Sequence, residues 1–295
     1  MAASFAENPY LCAVHDFTLN LRGHLLSLAT PQVMGILNVT PDSFYAASRR
    51  QTEEEVCERV RQILAEGGTI VDIGACSTRP GSDSVDESQE MLRLRSALAA
   101  ISGMEERPIL SVDTFRANVA KMCVEEYGVA MVNDISGGDL DPDMFPTVAR
   151  LGVPYVLMHT RGNAADMQQL THYDDLLPEI LRHLAERVQR LRDLGHKDII
   201  IDPGFGFAKT LEQNYELLAR LPLLRQLELP ILVGVSRKSM VQKVLNVPVE
   251  EALNGTTALH AFCLAMGSVD ILRVHDVKEA VQAVRLWQAA KPYLL

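Results

Sequence analysis

The sequence predicts a single α/β domain of (β/α)8 barrel type with an N-terminal β-hairpin extension. Three observations point there. Eight short runs rich in Val and Ile recur along the chain, at 33–37, 69–73, 109–112, 130–132, 155–158, 199–201, 231–235 and 269–272. Each run is apolar throughout rather than alternating, as parallel strands covered on both faces are. An amphipathic helical segment follows each run, which is the order of a closed parallel barrel. A doubly wound open sheet is the rival arrangement, but no GxGxxG supports it. The length of 295 residues suits one such barrel.

The elements follow in order. Residues 1–32 form the extension and 33–295 the barrel. In the extension Phe17, Leu19 and Leu21 alternate, and Arg22-Gly23 can turn the chain. This predicts a hairpin that plugs the N-terminal mouth. Thr52 can cap a helix over 53–66, with Glu55 three residues on as the second half of a capping box. Gly67 and Gly68 end that helix. Helices over 86–100 and 115–127 follow the second and third strands. Asp141 starts a short helix with Pro142 in its first position. The longest helix spans 174–194, and helices over 211–227, 250–266 and 277–289 complete the set.

Composition narrows the function. The chain is 47% hydrophobic and 22% charged, enough for a large core. Its formal net charge of −10 argues against a broad basic surface for nucleic acid. An anionic substrate would need a local cluster of cations. Cys12, Cys57, Cys76, Cys123 and Cys263 are scattered, odd in number and form no CxxC pair, which suits a reduced, cytoplasmic protein. No apolar run is long enough to span a bilayer, and the N-terminus has no signal-peptide pattern. The expected partners are small molecules, with neither nucleic acid nor membrane.

In a barrel the catalytic groups stand where strands end and their loops begin. The first run ends at Asn38, and the second leads to Ser77-Thr78-Arg79-Pro80. The third ends in Asp113, the fourth in Asn133-Asp134 and the fifth in His159-Thr160-Arg161. The sixth ends in Asp202 before Gly204-Phe205-Gly206-Phe207. The seventh leads to Ser236-Arg237-Lys238-Ser239, and the eighth to Arg273 and His275. Any one of these could cap a helix or tie down a loop. Eight polar endings together point to one pocket, because each buried polar group without a partner costs about 1–3 kcal/mol. Asp113, Asn133 and Asp202 suit the N–H edge of a flat nitrogen heterocycle. Arg79, Lys238, Arg273 and His275, with Asn38 and Thr78, suit a phosphate or pyrophosphate. Phe205 and Phe207 offer apolar faces to something planar.

Some features carry less. GFGFAKT at 204–210 resembles the end of a phosphate-binding loop, but Ala208 stands where that motif needs Gly. The eight histidines show no HExxH or comparable metal spacing. His159 reads as a satisfied loop histidine or as a functional one. Cys76 reads as a small buried thiol.

The ordered motifs MGILNVTPDSF, VDIGACSTRPGS, SVDTF, VNDISGG, LMH, IDPGFGF, GVSRKSM and GTTALHAFCLAMGSVDILRVHDV resemble the dihydropteroate synthase family of the folate pathway. The resemblance runs from Met34 to Asp276. It implies a transferase of the same barrel fold. Such an enzyme joins 4-aminobenzoate to 6-hydroxymethyl-7,8-dihydropterin pyrophosphate by an SN1-like substitution, with Mg2+ as cofactor, and is a sulfonamide target. It implies pterin-reading roles for Asp113, Asn133, Asp202 and Lys238, with Met158 lining that slot and Asp113 supplying charge to the cation. Arg273 and His275 would hold pyrophosphate, and Asn38 would bind Mg2+. Thr78 and Arg79 would belong to a mobile loop, with Pro80 near the aminobenzoate and Phe207 and Ser239 completing its site. A homodimer built on the final helices is implied as well. The stretch Tyr45–Arg50 departs from the family pattern, as do Ala208 and Cys76. Two other readings use the same slot: a pterin-binding methyltransferase domain, and a binding protein without catalysis.

Overall fold

The structure, a computed structural model, describes residues 17–39, 49–76, 85–163 and 165–293. A two-stranded hairpin comes first, β1 (Thr18–Leu21) and β2 (His24–Ser27), turned by Arg22-Gly23. Eight parallel strands follow: β3 (Gln32–Asn38), β4 (Ile70–Gly74), β5 (Ile109–Asp113), β6 (Met131–Asp134), β7 (Tyr155–Met158), β8 (Ile199–Asp202), β9 (Leu232–Val233) and β10 (Ile271–Val274). Their order in the sheet is β8-β7-β6-β5-β4-β3-β10-β9. The ring is completed by a single parallel bridge between Ile201 and Ile231, with Ile201 N donating to Pro230 O at 2.9 Å. The barrel expected from the sequence is therefore present.

Period-two alternation along each strand sorts the residues into layers. At the N-terminal end, Met34, Ile70, Met131, Val156, Ile200, Leu232 and Ile271 face inward and pack with Leu19, Leu21 and Leu28 of the hairpin segment. Two positions further along, four of the seven are polar, Asp72, Asn133, Asp202 and Arg273, and the other three are Ile36, Met158 and Gly234. The floor is thus an apolar plug, each fully buried side chain contributing about 1.5–3 kcal/mol. The layer above it is a polar cup. Out-facing residues such as Val71, Ile73, Val112, Val132 and Leu157 pack against the helices.

Nine α-helices lie among the described residues: α1 (Arg49–Ala65), α2 (Glu87–Ser102), α3 (Ala117–Tyr127), α4 (Met144–Leu151), α5 (Leu176–Asp193), α6 (Leu211–Ala219), α7 (Ser239–Leu245), α8 (Leu253–Ala265) and α9 (Val277–Ala290). Several boundaries differ from the sequence expectation. Helix α1 begins at Arg49, so Thr52 lies inside it and is not a cap. Of the divergent stretch, only Arg49 and Arg50 fall among the described residues, in the first turn of α1. Helix α4 begins at Met144 rather than at Asp141, whose carboxylate instead accepts from Ala117 N at 2.7 Å and Asp143 N at 3.0 Å. The helix expected over 211–227 divides at Arg220 into α6 and a 3-10 turn, Leu221–Leu227, that opens on Pro222. Proline cannot donate the bond that would continue the α-helix. Helix α7, which has no counterpart in the sequence expectation, starts at Ser239, and α8 starts at Leu253 after a 3-10 turn at Val249–Glu251. Strand β9 is only two residues long, not five.

Candidate active site

Strand register brings the polar endings side by side. Asn38 pairs with Gly74, Gly74 with Asp113, and Asp113 with Asn133; on the other flank Met158 pairs with Asp202. Neighbouring strands lie about 4.8 Å apart. These side chains therefore share one rim.

Arg273 is the hub. Its Nε donates to Asp72 Oδ2 at 2.6 Å and its Nη2 to Asp113 Oδ2 at 2.7 Å. Asn133 Nδ2 donates to the same Asp72 oxygen at 2.9 Å. The second Asp72 oxygen is buried and has no hydrogen-bond partner among the described residues. The acidic and cationic sets read from the sequence are thus one connected network, not two patches. Asp72 was missed because it sits inside an apolar run rather than at its end. The available signal was a carboxylate at an inward position of IVDIG, two residues beyond the apolar Ile70.

The charges in this cup are shifted by their surroundings. Burial pushes the Asp113 carboxyl up to about 7; Arg273 pulls it down and Asp72 opposes that pull. Burial also raises Asp202, against the attraction of Lys238. Lys238 is brought down to about 8 by burial, with Asp202 acting the other way. Each shift favours the neutral form, so binding polar ligand atoms here replaces lost hydration.

The turn after β8 closes one side. Asp202 Oδ1 accepts from Gly204 N at 2.7 Å. Lys238 donates to Phe205 O, and its ammonium lies 4.6 Å from the Phe207 ring centroid. Phe205 itself is fully buried, so only Phe207 offers a ring to the cup; the expectation for Phe205 as a binding face is corrected. Across the rim, Ser236 Oγ lies 3.1 Å from His275 Nδ1 and accepts from His275 N at 3.2 Å. Arg237 forks onto Asp276 through two bonds of 2.8 Å, tying the Lys238 turn to the His275 segment.

Residue profiles and whole-chain comparisons agree with this geometry. The profile described as pterin binding enzyme matches residues 34–275. The dihydropteroate synthase of Escherichia coli strain K12 is 40% identical over 270 residues, 91% of this chain and 94% of that protein. The chain belongs to the dihydropteroate synthase family. Among solved family members, the Yersinia pestis enzyme in a sulfonamide complex superposes with a TM-score of 0.85 at 38% identity, covering 94% of this chain and 100% of that one. The Xanthomonas albilineans enzyme with 4-aminobenzoic acid gives 0.84 at 36% identity, covering 94% and 98%.

Within this family member, Asp113, Asn133, Met158, Asp202, Phe207, Lys238, Arg273 and His275 all lie at strand ends or the turns that follow them on one face of the barrel. Asn38 ends β3 with its side chain exposed, and Ser239 is exposed at the start of α7. Thr78, Arg79 and Pro80 lie outside the described residues. Asp134, next to Asn133, faces the other way and is structural: it accepts from Tyr155 Oη at 2.7 Å, Ser136 N at 2.7 Å and Gly138 N at 3.0 Å. Cys76 accepts from Arg116 Nη1 at 3.5 Å, and burial pushes its thiol up to about 12, so it is a thiol and not a nucleophile.

Proposed function

We propose that this chain condenses 4-aminobenzoate with 6-hydroxymethyl-7,8-dihydropterin pyrophosphate, releasing pyrophosphate and forming 7,8-dihydropteroate. The observation that carries the reading is the Asp72–Arg273–Asp113 network with Asn133 alongside, facing Asp202 and Lys238 across one cup. Asp202 and Asn133 would pair with the amidine-like edge of the pterin, and Met158 would line the slot. The C–O bond to pyrophosphate breaks with its electron pair leaving on oxygen. The CH2 carbon becomes a cation spread over the electron-rich ring. The Asp113 carboxylate would stabilise that cation, while Arg273 and His275 would hold the departing pyrophosphate. The aniline nitrogen then forms the new C–N bond and loses a proton to solvent. Phe207 and Ser239, with Pro80, would contact the aminobenzoate; Thr78 and Arg79 would close over the leaving group. No covalent nucleophile is needed, consistent with the protonated Cys76 thiol. Sulfonamides, which mimic 4-aminobenzoate, would compete for its site.

Asn38 offers a single amide oxygen, and no group of three or more metal-ligating His, Cys, Asp or Glu side chains occurs among the described residues. That donor set suits Mg2+ carried mostly by water and pyrophosphate oxygens. When bound, the ion would neutralise charge on the leaving group. The exposed apolar side chains Val244, Leu245 and Phe262 on α7 and α8 support a homodimer. No helix among the described residues is long and apolar enough to cross a membrane, and we place the protein in the cytoplasm.

The test is turnover with both substrates and Mg2+, read as 7,8-dihydropteroate by chromatography. Folded protein that binds the pterin yet makes no product would overturn the proposal. Asn38→Ala with parental Mg2+ dependence would remove that residue from the metal site.

A further inference from the structure

The GFGFAKT segment, set aside as a phosphate-loop lookalike, has an unusual build. Gly204, Gly206 and Ala208 adopt φ of 70°, 81° and 47°, so alternate residues lie in the left-handed region. For Ala208 that conformation is strained. The turn has no strand or helix to satisfy its carbonyls; beyond Phe207 N donating to Gly204 O at 3.2 Å, side chains do so. Gly204 O and Phe207 O accept from Lys209 Nζ at 2.9 and 3.0 Å. Phe205 O accepts from Lys238, Gly206 O from Gln168 Nε2 at 3.4 Å, and Ala208 O from Tyr173 Oη at 2.9 Å. The third Lys209 contact is His159 Nδ1 at 3.1 Å, and Lys209 is almost fully buried. An ammonium has three N–H donors and no acceptor. Here it has three partners, so the turn is wound about a built-in cation.

We propose that Lys209 is a positioning residue for the heterocycle slot: its ammonium organises the 203–208 turn and thereby fixes Asp202, Phe207 and Lys238. The links are direct. Gly204 N holds Asp202 Oδ1, Phe205 O holds Lys238, and Phe207 caps the slot. Lys209 is also a countercharge to Asp202, as is Lys238. Around Lys209 stand Asp202 on β8, His159 and Arg161 after β7, Asn214 on α6 and Lys238 before α7; His183 on α5 packs against the His159 ring. Burial brings the Lys209 amine down to about 7, with Asp202 opposing. Its charge is therefore about half present near pH 7, fuller below that and lost as pH rises above it.

The role rests on the proposed pterin site, and calorimetry with 6-hydroxymethylpterin from pH 6 to 9 keeps the two separable. If the parental protein does not bind the pterin, the functional reading fails. If it does, Lys209→Met must bind at least about tenfold more weakly at pH 6. The ratio of parental to variant affinity must also shrink as pH passes through about 7, because the parental protein loses the same charge. Titrations shared by both proteins cancel in that ratio, and a merely space-filling lysine would leave it flat. Equal affinity, or a constant ratio, overturns the inference. If Lys209→Met does not fold, parental protein labelled with 13C at lysine Cε supplies the reading. A resonance titrating well below the ordinary lysine range, and still present in Lys238→Met, must move its midpoint when the pterin binds; an unmoved midpoint overturns the inference.

Discussion

Asp72→Ala tests whether the buried acid is what holds the hub of the site. The change removes the oxygen shared by Arg273 Nε at 2.6 Å and Asn133 Nδ2 at 2.9 Å. Asp72 is wholly buried, and the Arg273 side chain is 21% exposed. Deleting one partner of a buried ion pair costs about 3–5 kcal/mol. Two features reduce that cost here. Arg273 retains Asp113 at 2.7 Å. The alanine also removes the partnerless second oxygen of Asp72, and a buried orphan of that kind costs about 1–3 kcal/mol. The expected net loss is about 2 kcal/mol. For a chain of 295 residues, that lowers Tm by about 3 °C. Urea unfolding followed by circular dichroism, with a parallel thermal melt, measures both quantities. Asp72→Asn keeps an acceptor for Asn133 but no charge, and is expected between parent and alanine variant. An alanine variant as stable as its parent would falsify the hub role of this carboxylate.

Three further outcomes are expected. Arg225 forks onto Asp270 at 2.6 and 3.1 Å at the opposite end of β10, so Arg225→Met should lose about 3–5 kcal/mol in unfolding experiments while pterin affinity by calorimetry stays parental; a weaker pterin complex would show that the two ends are coupled. At Gly204 an added Cβ would lie 2.0 Å from the His159 carbonyl oxygen at a φ of 70°. The conformation alone costs about 1–2 kcal/mol. Gly204→Ala should therefore lower the urea midpoint and pterin affinity together, and retained affinity would separate the turn from Asp202. Phe262, 61% exposed on α8, should be part of the proposed dimer face. The parent is expected to sediment as a dimer and Phe262→Glu as a monomer, and equal sedimentation coefficients would refute that face.

The sequence by itself determined the strand count, the plug and most of the rim. A polar residue ending an apolar run is a local signal, and it exposed Asp113, Asn133, Asp202, Lys238, Arg273 and His275 without any coordinates. Chain closure decided the rest. Which strands become neighbours is a non-local fact, so the pairing of Arg273 with Asp72 and Asp113, 201 and 160 residues away, appears only in the folded ring. The same holds where direction matters more than identity. Phe205 turns into the core while Phe207 faces the cup, and Lys209 turns inward among carbonyls that no strand or helix satisfies. Those orientations follow from three left-handed residues in one turn, a backbone choice that composition and periodicity do not encode.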